Sequence, residues 1–323
     1  MVQLEEAKRM IELDSQPHRR LALLLLDNAA EVIMSRMIDR LTMLNDMHKN
    51  TIDLCQSRPR PLVLETAELL AESEAMWVSP RQFDKLNRFF EEKAKFLVKR
   101  GKVEEPVALA LRKLHVYRNE AYHRDKLRPG SLVPSVLIYF DLACELFGRW
   151  QPSGVTISPP IPAVLKKYLK PGELYAGYDV MPRIADALRS ELKLDLPAVR
   201  EALIQHLSDR LDQIDDLLKF IAEESARPRS VADTLHVVQA VTDENALASD
   251  EELLATKVKF SMRDLENWRA RVARIERLDD RLKMFTAFAR IEDEFESLEA
   301  QVLGVAAIVD QYVEDQIDFM RGM

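Results

Sequence analysis

Apolar residues recur along this chain in steps of three and four, the spacing that places them on one face of a helix. Leu4, Met10, Ile11 and Leu13 mark a short amphipathic helix over 1–16, and Pro17 permits a restart in a first helical turn. Leu21, Leu24, Leu25, Val32, Ile33, Met37, Leu41 and Leu44 then predict one long helix over 18–49. Arg58-Pro-Arg-Pro61 breaks the pattern, and further helices are expected at 62–74, 80–100 and 103–126, with Ser79 capping the second of these ahead of Pro80. Arg128-Pro-Gly130 ends the third, and Pro134 opens a largely apolar helix to Trp150.

Residues 151–162, rich in Pro, Gly, Ser and Thr, read as a linker between an N-terminal domain over 1–150 and a second domain over 163–323. Residues 163–182 look irregular. Beyond them Leu203, Leu207, Leu211, Ile214, Leu218 and Ile221 predict a helix over 196–224. Ser249 with Glu252 makes a capping box ahead of a helix through Leu254, Val258, Met262 and Leu265. Phe285, Phe288, Ile291, Phe295, Leu298, Val302, Val309, Val313 and Ile317 carry the stripe onward, as in a bundle or coiled-coil arm. The fold class is therefore all-α.

Composition sharpens this reading. Eight glycines in 323 residues disfavour hairpins and phosphate-cradling loops, and neither a P-loop nor a dinucleotide fingerprint occurs, so no cofactor is expected. The longest aliphatic run, Leu21–Leu26, is too short to span a bilayer. No cleavable leader pattern opens the chain, and Cys55 and Cys144 read as buried free thiols without zinc spacing, which together point to a cytoplasmic setting. The formal charge of −8 hides a reversal: residues 93–128 hold eleven Lys/Arg against four Asp/Glu. A basic island in an acidic chain is either a polyanion site or a solvated helical face.

That island contains His115-Val-Tyr-Arg118-Asn119-Glu-Ala-Tyr-His123-Arg124-Asp. On a helical wheel Arg112, His115, Asn119 and Lys126 fall within about 80° of His123, opposite Ala110, Leu114, Tyr117 and Ala121. Arg118 lies about 140° round and needs its long side chain, a bend, or a second protomer to join them. The group suits metal-free RNA cleavage. An imidazole near neutral pKa moves the 2′-hydroxyl proton, and a guanidinium meets the charge gathering on the phosphate. Asn119 orients the ring or donates to the phosphate. Against this stands a structural reading, with Arg118 in a surface ion pair and Glu120 paired with Arg124 one turn on. His115 and His123 are two turns apart, about 12 Å along the axis, a poor metal pair.

Arg118-Asn119-x-x-x-His123 resembles the R-x(4–6)-H motif of the HEPN superfamily, including the polar residue after the arginine. Leu26-Asp-Asn-Ala-Ala-Glu31 is similar to the acidic first helix common in that group. Over residues 18–150 the resemblance implies a HEPN-like helical bundle that dimerises and joins two motifs in one cleft. It implies a metal-independent endoribonuclease, as in toxins and phage-defence effectors, with Arg118, Asn119 and His123 catalytic. Arg112, Lys113, His115, Arg124 and Lys126 would hold RNA phosphates, with Asp27, Asn28 and Glu31 in support. RNA, a second copy and an antitoxin or regulatory protein are the expected partners, with no membrane. His123 precedes Arg124 rather than the His-x-Tyr of toxins controlled by tyrosine modification, so that control is not expected. The competing reading is a non-catalytic helical scaffold or RNA-binding regulator; a nucleotide-binding regulator is a third.

Overall fold

The computed structural model describes residues 1–57, 64–123, 128–150, 152, 155–156, 166–169, 175–176, 180–242, 245 and 248–322. Among the described residues the chain is all-α apart from one two-residue antiparallel pairing, and it resolves into two compact units, Met1–Leu194 and Asp195–Met323.

The first unit comprises α1 (Val2–Glu12), α2 (Gln16–Leu41), α3 (Asn45–Gln56), α4 (Leu64–Met76), α5 (Pro80–Arg88), α6 (Phe90–Lys99), α7 (Glu105–His123), α8 (Pro129–Arg149) and α9 (Val180–Glu191). Between α8 and α9, β1 (Val155–Thr156) pairs with β2 (Tyr175–Ala176). Helix α2 lies against α1, α6, α7 and α8, and α8 against α1, α7 and α9. Leu23, Leu26 and Met34 of α2, Leu97 of α6, Leu111 and Leu114 of α7, and Tyr139 and Phe140 of α8 fill the space between them. Each such side chain contributes about 1.5–3 kcal/mol by leaving water, so α2 and α8 are the frame on which α7 is mounted. By length and composition Gly130–Arg149 of α8 would cross a membrane, yet 78% of that segment is buried inside the protein, as in a core helix.

Two expected helices of this unit are interrupted. The helix expected over 18–49 stops at Leu41, where Thr42 turns its hydroxyl onto the Ile38 carbonyl, and resumes at Asn45. Asn45 holds the break by bonding both backbone groups of Val78, at 3.0 and 2.7 Å. The helix expected over 80–100 is cut at Phe89, which is extended (φ −118°, ψ 121°) so that Phe90 turns inward. Helix α8 begins at Pro129, five residues before Pro134, which sits inside it. The expected break at Arg58–Pro61 and most of the 151–162 linker lie outside the described residues. Helix α9 clusters with the first unit, because its Ile184, Ala185 and Leu188 pack on α8.

The second unit holds α10 (Leu196–Glu224), α11 (Val231–Ala240), α12 (Asp250–Leu254), α13 (Met262–Ile275) and α14 (Arg281–Arg321). It is a bundle built on α10 and α14, with α11 and α13 packed on both. The expected leucine stripe of α10 meets Phe285, Phe288, Phe295, Leu298 and Val302 of α14 in the core. The Ser249–Glu252 capping box is formed. The helix it opens ends at Leu254, because Gln239 of α11 clamps both backbone groups of Phe260 at 2.8 Å, and α13 starts afresh. A charged inlay interrupts the core: Glu292 is fully buried and accepts from Arg210, whose guanidinium also reaches Glu299.

Candidate active site

Asp27 stands on the inward face of α2, four residues after Leu23, three before Ala30 and seven before Met34, all buried. The residue is 1% exposed. A carboxylate so placed needs several donors, and it has them. Tyr139 of α8 donates its hydroxyl to Oδ1 at 2.7 Å, and His115 of α7 presents Nδ1 to the same oxygen at 2.8 Å. Arg118 Nε lies 3.3 Å from Oδ2, near enough for an ion pair but not aligned for a hydrogen bond. Burial first, and the Asp27 charge second, push the Tyr139 hydroxyl well above the usual phenol range, so it stays a donor.

The network has a fixed polarity. Arg118 Nη1 contacts Asn119 Oδ1 at 2.8 Å, and an arginine only donates, so the oxygen of that amide must face it. The amide nitrogen therefore faces His115 Nε2, at 3.0 Å, and donates to it. His115 accepts at Nε2 and donates from Nδ1 to Asp27, which is the neutral ring in one assigned tautomer. Phe90 stacks on this ring at 4.2 Å between centroids, with planes 10° apart. Arg118, Asn119, His115, Asp27 and Tyr139 thus form a single chain of contacts across α7, α2 and α8.

His123 lies elsewhere, exposed in the last turn of α7. Tyr122 links it to the network: the Arg118 guanidinium lies 5.3 Å from the Tyr122 ring centre, and the His123 ring meets that ring edge-on at 4.8 Å. Tyr122 is itself 61% exposed. Beside it, Pro17, Arg20, Leu21, Leu23 and Leu24 of α2 face Arg118, Ala121 and Tyr122 of α7 across a hollow of about 350 Å³. Arg20 Nη2 donates to the Ala121 carbonyl at 2.6 Å, satisfying one acceptor at the end of α7.

The wheel's single polar face is thereby divided. His115 and Asn119 turn inward to Asp27 and Arg118 rather than outward to solvent; the buried carboxylate draws them in. Arg112 pairs with Glu91 at 2.6 Å, and Lys113 lies over the Tyr117 ring at 5.0 Å. Glu31 pairs with the buried Lys93 at 2.6 Å, while Asn28 faces solvent. Arg118 is not set apart from Asn119, because its Nη1 donates to the neighbouring amide oxygen. Glu120 receives Arg128 through two nitrogens. Arg124 and Lys126 lie outside the described residues. Among the described residues no three His, Cys, Asp or Glu side chains converge as metal ligands.

Sequence reasoning missed Tyr139, Phe90, Arg20 and Tyr122. The hydroxyl of Tyr139 within the apolar α8 was the one readable signal, since a buried tyrosine needs an acceptor. Compared with protein-family models, curated proteins and solved structures, the chain matches none.

Proposed function

We propose that the first unit is a HEPN-type, metal-independent endoribonuclease that acts as a dimer. The observation that carries this reading is the mounting of Arg118. Its Nε lies against the buried Asp27 and its Nη1 on Asn119, while Tyr122 stands between its guanidinium and the exposed His123. A guanidinium pre-positioned in this way loses little freedom when it meets a phosphate.

In the reaction, His123 takes the proton of the ribose 2′-hydroxyl and that oxygen attacks the adjacent phosphorus. The bond to the 5′-oxygen breaks, and that oxygen gains a proton from a second acid. The products are a 2′,3′-cyclic phosphate and a 5′-hydroxyl. Arg118 stabilises the five-coordinate phosphate, and Asn119 orients Arg118 rather than His123. Each protomer exposes one motif histidine, so a second copy supplies the second proton-transfer group.

Purified protein incubated with mixed RNA and EDTA tests the reading, beside an Arg118→Ala/His123→Ala variant. Cleavage by the wild type alone, ending in cyclic phosphates, supports it. RNA left equally intact by both across pH and salt, with harmless expression, refutes catalysis. The competing scaffold reading draws on α14, where Tyr312, Phe319 and Met320 are exposed beyond the last buried residue, Val309. It expects complex formation to survive loss of the motif.

A further inference from the structure

Three hollows in the first unit differ in what they can hold. One beside Phe89 and Phe90 is lined by Lys85, Arg88 and His115 but also by Glu91 and Glu92, so its charges offset one another. A second, around Met37, Met43, Met76 and Trp150, is also lined by Arg40, His48, Lys102 and Arg149, but Arg40 and Arg149 stand in the last turns of α2 and α8, where cations answer the helix dipole, and Arg149 is paired with Glu104 and Glu145. The third, between α2 and α7, has no carboxylate in its lining. It combines apolar walls with two guanidinium groups and one exposed aromatic ring.

We propose that this third hollow is a nucleotide subsite, holding one unstacked nucleobase against Leu21, Leu24 and Tyr122 with its phosphate on Arg118. The assignment deepens the ribonuclease reading and rests on it for the identity of the polymer, single-stranded RNA. The volume, about 350 Å³, lies at the small end of ordinary ligand sites, which run from about 300 Å³ upward. Unpaired bases are recognised by aromatic stacking and apolar walls, and every base offers a π face. Arg118 enters the wall with Nη1 donating to Asn119 and Nε 3.3 Å from the Asp27 carboxylate, so the guanidinium is held from its inner side where it lines the hollow. Arg20, held on the Ala121 carbonyl, adds a second positive charge to the wall. The site therefore requires a ligand that is flat and apolar at one end and anionic at the other.

Calorimetric titration of the full chain with nucleoside 3′-monophosphates, and separately with inorganic phosphate, tests this. The nucleotides are expected to bind about tenfold or more tightly than phosphate, the effect of stacking one base on one ring. Leu21→Trp fills the mouth from a half-exposed position and is expected to abolish that advantage while phosphate binding persists. Tyr122→Ala, at an exposed ring, is the second variant should Leu21→Trp fail to fold. Equal binding of nucleotide and phosphate, or an undiminished nucleotide advantage in both folded variants, overturns the subsite. The two proposals fail separately. Nucleotide binding lost in Leu21→Trp without any RNA cleavage keeps the subsite and refutes the nuclease. Cleavage with unchanged nucleotide preference in both variants keeps the nuclease and refutes the subsite.

Discussion

Replacing Tyr139 by Phe removes one oxygen from the centre of the first unit. The ring is fully buried, and its hydroxyl donates at 2.7 Å to a carboxylate that is also buried. A hydrogen bond to a charged group contributes about 1.5–3 kcal/mol. Asp27 keeps His115 at 2.8 Å, so the carboxylate is not orphaned and the loss falls at the low end, about 1.5–2 kcal/mol. Amide exchange read by mass spectrometry isolates the segment: the slowest amides of α2 and α8 should exchange about tenfold or more faster. The pH dependence gives a second reading. The folded-state pKa of Tyr139 is raised above its unfolded value, so its contribution is complete below about pH 10 and declines as pH climbs towards the folded value. Phenylalanine has no such decline, so the gap between wild type and variant should narrow above about pH 10. Unchanged exchange in Tyr139→Phe, or a gap that widens in alkali, refutes the assignment of Asp27 as the acceptor that ties α8 to the site.

Asp27→Ala should cost more, about 3–5 kcal/mol, because it strands Tyr139, His115 and Arg118 together; thermal unfolding of the first unit measures it. Glu292→Ala should destabilise the second unit by less, about 1.5–3 kcal/mol, because Arg210 loses one charged partner but keeps Glu299, with exchange in α10 and α14 as the readout. A Cβ at Gly148 would lie 3.1 Å from the Ala185 side chain, so Gly148→Leu should push α9 off α8 and expose α9 to early proteolysis, whereas Gly148→Ala should be tolerated far better. Cys55 and Cys144 are buried, and burial pushes the Cys144 thiol far above its usual range; a thiol reagent should label neither until denaturant is added.

The helices were legible because their apolar spacing is regular, and the capping box at Ser249 was legible because it is local. The interruptions at 42–44, at Phe89 and at 255–261 were not, since no proline or glycine marks them. They depend on distant partners, Asn45 on Val78 and Gln239 on Phe260, that no window of sequence contains. The same distinction governs the site. A wheel ranks residues by angle and assumes that polar groups seek solvent, so it placed His115 and Asn119 outward. The signal that reverses this was present: an aspartate aligned with Leu23, Ala30 and Met34 must draw donors inward. What stayed illegible was which donors, because His115 lies 88 positions from Asp27 and Tyr139 lies 112.

Those separations carry a temporal consequence. A chain leaving the ribosome has α2 and the motif helix before it has α8, so Asp27 lacks its Tyr139 donor until that later segment docks on α2. Until then the carboxylate on which His115 and Arg118 rest is missing its most deeply buried donor, so the order of the site follows the docking of the last of its helices to arrive.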